Sequence, residues 1–268
     1  MRWGEWEGTR EAGSAAGDAP GRPVTRVASV GEEVGRDMVG DVGKGSGEDA
    51  GAEQVGVGPW QGPWPAGDHF DPDLLRDGDR RNVVDAYRYW RLDAIVADLD
   101  TRRHGFHVAV ENWGHDFNIG SVIRTANAFN AAAFHIVGRR RWNRRGAMVT
   151  DRYQHEHHHP DPTHLVEWAA TAGADGRGIP LIGIDNLPGS VPLETHDLPR
   201  ECVLVFGQEG PGLSPGMRAV CEVVLHIEQF GSTRSINAGA AAAVAMHAWV
   251  RRHVFGQAVE SGPAHPSL

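Results

Sequence analysis

The sequence has few features of secreted, membrane-bound or zinc-binding proteins. Its 268 residues include two cysteines, Cys202 and Cys221, which form no C-x-x-C pair, so we expect reduced thiols and no metal site. No apolar run approaches the roughly 20 residues that span a bilayer. The first residues also lack a basic start followed by an apolar core. We therefore expect no membrane partner, no signal peptide and a cytoplasmic location.

Acidic residues outnumber basic residues two to one in the first third of the chain. Residues 1–80 contain 8 Lys and Arg against 16 Asp and Glu, and they account for most of the net charge of −9. Of the 35 glycines, 16 precede Asp68. Such a segment buries too little apolar surface to offset the entropy of ordering it. We predict disorder over residues 1–75, with an acidic interaction tail as the alternative.

The remaining chain alternates short apolar runs with helical patterns. A helical extension is predicted over 76–104, because apolar residues recur at helical spacing through Arg80–Leu99. Strands and helices alternate over 105–255, and a flexible tail follows at 256–268. This alternation predicts an α/β fold with a parallel sheet flanked by helices. The predicted strands are Phe106–Val110, Ala133–Val137, Leu181–Ile184, Cys202–Phe206 and Val223–Ile227, and the predicted helices are Ile119–Asn130, Pro162–Ala172, Ser214–Val220 and Ile236–His253.

The first of three informative segments is Asn-x-Gly-x-x-x-Arg, from Asn118 to Arg124. It follows a predicted strand and begins a helix, and asparagine is a favoured residue for capping a helix N-terminus. An arginine near the helix start can hold a phosphate or carboxylate through its planar guanidinium. Alone, the segment is better explained as a surface helix with a solvated arginine.

The second and third segments are a glycine-rich loop and the start of an alanine-rich helix. Phe206–Gly212 runs from a strand into glycines, which let a nucleotide-like ligand approach the backbone closely. Ile227–Asn237 leads into the helix, which Ser235 can cap. Each has an ordinary alternative, since glycine loops are common and small residues also serve close helix packing.

In this order and spacing, the three segments resemble the motifs of the SpoU (TrmH-type) RNA 2′-O-ribose methyltransferases of the SPOUT superfamily, over residues 105–255. The resemblance implies an α/β-knot fold, with a deep trefoil knot near the C-terminus, and a homodimer. It also implies methyl transfer from S-adenosyl-L-methionine to a ribose 2′-hydroxyl, a group that RNA has and DNA lacks. We favour tRNA over rRNA as substrate, because a compact domain with a short helical extension resembles the tRNA-modifying branch.

The resemblance also assigns site residues. Arg124 corresponds to the presumed catalytic arginine, either as a base or as a group that orients the hydroxyl and a phosphate, since guanidinium stays protonated in proteins. Ile236 stands where the family usually has Leu. The implied catalytic residues are Arg124, Asn118, Glu209, Ser235 and Asn237, and the implied cofactor-binding residues are Gly207, Gly210, Ile227, Ile236 and Asn237.

Two further clusters stand outside these motifs. The first is the arginine-rich segment Arg139–Arg145, which follows the second predicted strand. Its arginines can bind RNA phosphates and its tryptophan can stack on an unpaired base. A solvated loop is the alternative. His155–His159 is predicted to be a polar loop rather than a metal site, because no second set of ligands accompanies it. The predicted RNA-binding residues are Arg139, Arg140, Arg141, Trp142, Arg144 and Arg145.

Two other functions are less consistent with the sequence. A Rossmann-type enzyme would need several βα units after its glycine loop, and only 56 residues follow Gly212. A non-catalytic RNA-binding member of the same fold is disfavoured because all five implied catalytic residues are present.

Overall fold

The computed structural model describes residues 56–112, 118–208 and 210–258. Within these residues one seven-stranded parallel sheet forms the centre of the molecule. Its strands are β1 (Phe106–Asn112), β2 (Phe134–Gly138), β3 (Glu156–His159), β4 (Leu181–Ile184), β5 (Val191–Pro192), β6 (Cys202–Phe206) and β7 (Val223–His226). They lie side by side in the order β3-β2-β1-β6-β4-β7-β5.

Helices cover both faces of this sheet, as the burial of all five residues of β6 requires. On one face the third and sixth helices pack against β1 and β2, with Trp249 against Phe106 in the core. On the other face the fourth and fifth helices contribute Leu165 and Met217 to a second core cluster. The helices are α1 (Pro72–Asp77), α2 (Leu92–Asp100), α3 (Ile119–Ala128), α4 (Pro162–Ala169), α5 (Pro215–Val220) and α6 (Ala238–His253).

The predicted α/β sheet with flanking helices is confirmed. Two of the five predicted strands, Leu181–Ile184 and Cys202–Phe206, have the predicted bounds, and the other three differ by one or two residues. The four helices predicted after residue 105 are present with ends shifted by one to three residues. Buried parallel strands are continuous apolar runs, which is why the pattern identified them.

The single helix predicted over Arg80–Leu99 is wrong. A 3-10 turn occupies Asp85–Tyr87, and α2 begins only at Leu92. The buried carboxylate of Asp79 accepts hydrogen bonds from the backbone N–H groups of Arg81 and Tyr89, and Tyr89 has a left-handed φ of 64°. Asp79 therefore holds this stretch as a loop, against its helical pattern of apolar residues.

The disorder that we expected up to residue 75 does not include residues 56–75. Val57 pairs with Asp79 through two backbone hydrogen bonds of 2.9 Å. The Tyr89 hydroxyl donates to the Gly58 carbonyl over 2.6 Å, and the Asp71 side chain caps α1. These contacts to residues 79–89 order the glycine-rich stretch. Residues 1–55 and 259–268, where the rest of the predicted disorder and most of the tail fall, lie outside the described residues.

The polar loop predicted at His155–His159 is instead the edge strand β3. Its side chains extend a row of histidines across three strands: His159 contacts His135 over 2.9 Å, and His135 contacts His107 over 3.2 Å. Burial lowers the pKa of His107 to about 4 and that of His135 well below its usual value. Neutral imidazoles can pack in a sheet core like other aromatic rings, so a polar sequence forms this strand.

Both cysteines are free thiols, as the sequence predicts. Burial raises the pKa of the Cys202 and Cys221 thiols to about 12, so neither is a ready nucleophile. Among the described residues, no group of three or more potential ligands is placed to hold a metal ion. No described helix has both the length and the apolar character needed to cross a bilayer.

Candidate active site

The glycine-rich loop and the segment before α6 meet at the carboxyl edge of the sheet. The ends of β4, β6 and β7, together with the first turn of α6, enclose a cavity of about 350 Å³. Ligands of α/β proteins bind at this edge, beyond the carboxyl ends of the strands. Six residues assigned from the resemblance line the cavity, namely Gly207, Gly210, Ile227, Ser235, Ile236 and Asn237.

The glycine-rich loop closes on itself. Gln208 and Gly212 exchange two backbone hydrogen bonds of 3.0 Å, so the loop returns directly beside its own start. A Cβ atom on Gly207 would lie 2.1 Å from the carbonyl carbon of Gly212, and Gly212 has a left-handed φ of 71°. Side chains at these two positions would prevent the turn, and their absence leaves the backbone open to the cavity.

Asp185 holds the far end of this loop, and sequence reasoning did not identify it. Its Oδ2 atom accepts the backbone N–H of Leu213 over 2.8 Å, and its carboxylate occupies the space that a side chain on Gly212 would fill. Asp185 directly follows β4 and lines the cavity. A lone aspartate after a strand is too common to be recognised without the loop that it binds.

Asn237 connects the cavity to the first motif. Its Oδ1 atom accepts the N–H groups of Gly239 and Ala240 over 2.9 and 3.3 Å, and its Nδ2 atom donates to Oδ1 of Asn118 over 3.0 Å. Asn237 therefore caps α6, and our prediction that Ser235 does so is wrong: the helix begins two residues later than expected. Asn118 precedes α3, but its side chain makes no capping hydrogen bond there.

Arg124 lies on the exposed side of α3. Ser121 lies one turn earlier on the same side and packs closely on α6. A Cβ atom added to Gly239 in α6 would lie 3.2 Å from the Cβ atom of Ser121. The Arg124 guanidinium has no hydrogen-bond or ion-pair partner among the described residues and does not line the cavity. It is therefore available to a ligand arriving from outside. Glu209, the remaining implied catalytic residue, lies outside the described residues.

The arginine-rich segment forms an exposed loop after β2. Arg139, Arg140, Arg141 and Arg145 are exposed, and their guanidinium groups have no partner among the described residues. Arg144 differs, because it pairs with Asp151 over 2.6 Å and with Glu156 over 3.0 Å.

Trp142 is not available to stack on a base, which corrects the sequence prediction. It is 8% exposed and packs in the core cluster that contains α3, while the Arg144 guanidinium covers its ring at 4.7 Å. The apolar ring anchors the loop to the protein. The surface that remains for a polyanion consists of the four unpaired arginines.

The cavity suits S-adenosyl-L-methionine in size and in chemistry. Small-molecule pockets begin near 300 Å³ and combine apolar walls with a few polar groups. Here Ile227 and Ile236 are apolar, the glycine-rich loop presents its backbone, and Asp185 is acidic. The Oε1 atom of Gln229 is buried in the wall without a hydrogen-bond partner among the described residues. The amino groups of the cofactor are donors of the kind that this orphaned acceptor requires.

Comparison with known proteins finds a family and relatives that this chain resembles. The model of the SpoU rRNA Methylase family matches residues 105–247. A 23S rRNA (uridine(2479)-2′-O)-methyltransferase of Streptomyces viridochromogenes is 27% identical over 200 residues, which are 69% of this chain and 67% of that protein. An uncharacterized tRNA/rRNA methyltransferase of Mycobacterium ulcerans is 30% identical over 173 residues, which are 58% of this chain and 49% of that protein.

Solved structures also match part of this chain. The SpoU methyltransferase AviRb of Streptomyces viridochromogenes, in complex with the cofactor AdoMet, superposes with a TM-score of 0.51 at 27% identity, covering 60% of this chain and 62% of that one. The A. aeolicus TrmH/SpoU tRNA modifying enzyme gives a TM-score of 0.53 at 20% identity, covering 62% and 84%, and shows the shared fold alone. The chain spans about half to two thirds of the length of the curated relatives described above.

Proposed function

Because the chain belongs to the SpoU rRNA Methylase family, whose model matches more than half of it, we propose that it methylates RNA on a ribose 2′-hydroxyl. The methyl donor is S-adenosyl-L-methionine. The observation that carries the proposal is the convergence of the motifs. Two of them line one cavity, and the Asn237–Asn118 hydrogen bond joins the third to it. Three segments that far apart in the chain have no simpler reason to meet.

The cavity residues hold the donor in this proposal. Bound there, S-adenosyl-L-methionine supplies an electrophilic methyl group on its sulfonium sulfur. The backbone of Gly207 and Gly210 approaches the adenosine without side chains in the way, and Ile227 and Ile236 exclude water from its apolar surface. Asn237 and Ser235, at the α6 end of the cavity, contact the ribose that receives the methyl group.

Arg124 positions the substrate in this mechanism. Guanidinium stays protonated in proteins, so it serves poorly as the base for the hydroxyl proton, which passes to solvent water as the oxygen takes the methyl group. Its planar fork suits an RNA phosphate next to the target ribose, and no described residue pairs with it, which leaves it ready to bind one. Correct placement of the hydroxyl oxygen in line with the methyl group can supply several kcal/mol of the barrier. Glu209 and Asn118 complete the site by resemblance to the family.

The RNA backbone is bound by the unpaired arginines after β2, namely Arg139, Arg140, Arg141 and Arg145. This local patch outweighs the acidic total of the chain, because recognition of phosphates depends on nearby charges. We propose tRNA as the substrate class, since the short extension before the sheet resembles the tRNA-modifying branch. Ribosomal RNA is the second candidate, favoured by the name of the Streptomyces relative at 27% identity.

We further propose the trefoil knot, the homodimer and the cytoplasmic location that the resemblance implies. In support of a threaded C-terminal segment, Asn186 after β4 donates to the Arg234 carbonyl over 3.2 Å. Trp249 of α6 donates to the Pro199 carbonyl over 3.0 Å.

Two measurements test the proposal together. Titration calorimetry measures binding of S-adenosyl-L-methionine, and transfer of a labelled methyl group is measured separately into bulk tRNA and bulk rRNA. Label in tRNA supports the full proposal, and label only in rRNA moves the substrate to the second candidate. Cofactor binding without label in either pool would support the non-catalytic alternative, and no cofactor binding would contradict the proposal.

A further inference from the structure

One buried side chain forms hydrogen bonds with the backbone of the arginine-rich loop. Asn112 is the last residue of β1 and is 2% exposed. Its Nδ2 atom donates to the carbonyl oxygens of Arg139 over 2.7 Å and Arg141 over 3.0 Å. Its own carbonyl accepts the N–H of Arg139 over 2.8 Å. A single asparagine thus fixes the backbone at the first and third residues of the loop.

We infer that Asn112 is a positioning residue for RNA: it orders the loop formed by residues 139–145 so that the unpaired arginines meet the RNA backbone beside the reacting ribose. The inference rests on the proposed function and extends it to a residue without substrate contact. Asn112 is not among the described residues that line the cofactor cavity. Both hydrogen bonds from its buried amide nitrogen go to the backbone of the arginine-rich loop.

The same loop is also fixed against the helix that contains Arg124. Gly120 in the first turn of α3 packs on Gly146, and a Cβ atom on Gly120 would lie 2.6 Å from the Gly146 Cα atom. This close approach packs the end of the loop directly against the first turn of α3. The backbone that carries the phosphate-binding arginines is therefore joined by packing to the helix that carries Arg124. Ordering the loop before RNA arrives reduces the entropy lost on binding.

A different residue performs the equivalent task for the cofactor. Asp185 anchors the glycine-rich loop through the Leu213 N–H over 2.8 Å and lines the cavity. The two anchors hold different loops, so their loss should affect different ligands. We expect Asn112 variants to weaken RNA binding and spare cofactor binding, and Asp185→Asn to do the reverse.

The test compares two substitutions at Asn112 with a matched control. Asn112→Asp removes the donor and sets a carboxylate against two carbonyl oxygens, and Asn112→Leu removes the donor without adding charge. The control is Asn130→Asp. Asn130 also donates from Nδ2 to a backbone carbonyl, that of Arg102 over 2.9 Å, but it precedes β2 and so lies at the opposite edge of the sheet. Its left-handed φ of 49° is one that Asp tolerates.

For each variant of the full chain, we would measure the dissociation constants of RNA and of S-adenosyl-L-methionine, the unfolding midpoint, and kcat and KM for RNA. Both Asn112 variants should raise the RNA dissociation constant and KM by about ten-fold, the effect of losing two hydrogen bonds. Cofactor affinity should stay within about two-fold of wild type. Asn130→Asp should change neither constant although it adds the same charge as Asn112→Asp.

Several outcomes would overturn the inference. One is an Asn112 variant that binds RNA as tightly as wild type. Another is a variant that loses cofactor and RNA affinity together, which would indicate general damage. A third is equal RNA weakening by Asn130→Asp, which would indicate an effect of charge alone. Failure of the proposed function is separate, because wild-type protein would then transfer no methyl group to RNA at all.

Discussion

The side-chain amide of Asn237 donates a hydrogen bond of 3.0 Å to Oδ1 of Asn118, a residue 119 positions earlier in the chain. The same Asn237 caps α6 through its Oδ1 atom. One side chain therefore sets the start of the C-terminal helix and links it to the start of α3, the helix that contains Arg124. The cap uses the Oδ1 atom of Asn237 and the link uses its Nδ2 atom. The stability of the helix and the geometry of the site can therefore be tested separately.

Replacing Asn237 with Asp should keep the helix cap and lose the link. A carboxylate still accepts the Gly239 and Ala240 N–H groups and is favourable at a helix N-terminus. It cannot donate to Asn118, so methyl transfer should fall by about ten-fold or more, with stability within about 0.5 kcal/mol of wild type. Asn237→Ala should also lose the cap, at about 1 kcal/mol. Urea unfolding and single-turnover assays measure the two effects, and wild-type turnover by Asn237→Asp would show that the link is unimportant.

Replacing Arg124 with Ala should remove catalysis and leave the fold intact. Arg124 is exposed and has no partner among the described residues, so the free energy of unfolding should change by less than about 0.5 kcal/mol. Loss of substrate positioning should lower the single-turnover rate by about 100-fold. Arg124→Lys keeps the charge without the fork and should recover little. Unchanged turnover by Arg124→Ala would remove this residue from the mechanism.

Adding one methyl group at Gly207 should abolish cofactor binding. Its Cβ atom would lie 2.1 Å from the Gly212 carbonyl carbon, so the loop cannot close. Gly176→Ala is the control, because Gly176 has a φ of 77° with no atom within 4 Å of a Cβ and lies in a different loop. Both variants can lose stability, but calorimetry should find normal cofactor affinity in Gly176→Ala alone. Tight binding by Gly207→Ala would mean that the loop does not form the cofactor site.

The histidine row predicts that the protein loses stability in mild acid. The folded-state pKa values of His107 and His135 lie below the usual 6.5, so below that pH the unfolded chain binds protons that the folded protein does not. The free energy of unfolding should therefore fall as pH drops from 6.5 towards about 4. His107→Gln removes one such group, and urea unfolding at several pH values should find a shallower decline. An identical slope in the variant would contradict this account.

The arginines after β2 should differ in how much each contributes to the salt dependence of RNA binding. Arg140 has no partner among the described residues, so Arg140→Ala should lower the slope of log RNA affinity against log salt by about 1. Arg144 pairs with Asp151 and Glu156 and covers Trp142, so Arg144→Ala should leave that slope nearly unchanged. Filter-binding titrations at several salt concentrations measure both. Equal slopes in the two variants would mean that the ion pairs do not distinguish these residues.

The sequence predicted those parts of the fold that depend on short, continuous apolar runs. The strands Leu181–Ile184 and Cys202–Phe206 were found because both of their faces are buried, which leaves continuous apolar residues. Strand β3 was missed because its residues are polar by type, and His159 is buried only because it packs against the neutral His135 on β2. The helix predicted over Arg80–Leu99 was wrong for a related reason. The buried carboxylate of Asp79 accepts backbone N–H groups and holds the stretch as a loop, and the spacing of apolar residues does not reveal these hydrogen bonds.

The motifs predicted which residues line the cavity but not what supports them. Gly207, Ser235 and Asn237 could be identified because their types and spacing resemble a known pattern. Asp185 and Asn112 could not, since their roles depend on backbone groups brought to them by the fold: the Leu213 N–H 28 positions later and the Arg139 carbonyl 27 positions later. Trp142 was misassigned because its neighbours in sequence are exposed arginines, whereas its neighbours in space are apolar.

The identity of the modified nucleoside tests the central claim most directly. RNA labelled by the wild-type protein with S-adenosyl-L-methionine would be digested to nucleosides and separated by mass, with Arg124→Ala as the matched control. The account predicts that the label appears on the ribose of one nucleoside as a 2′-O-methyl group, and that the control lacks it. A labelled base with an unmodified ribose, or equal label from Arg124→Ala, would contradict it.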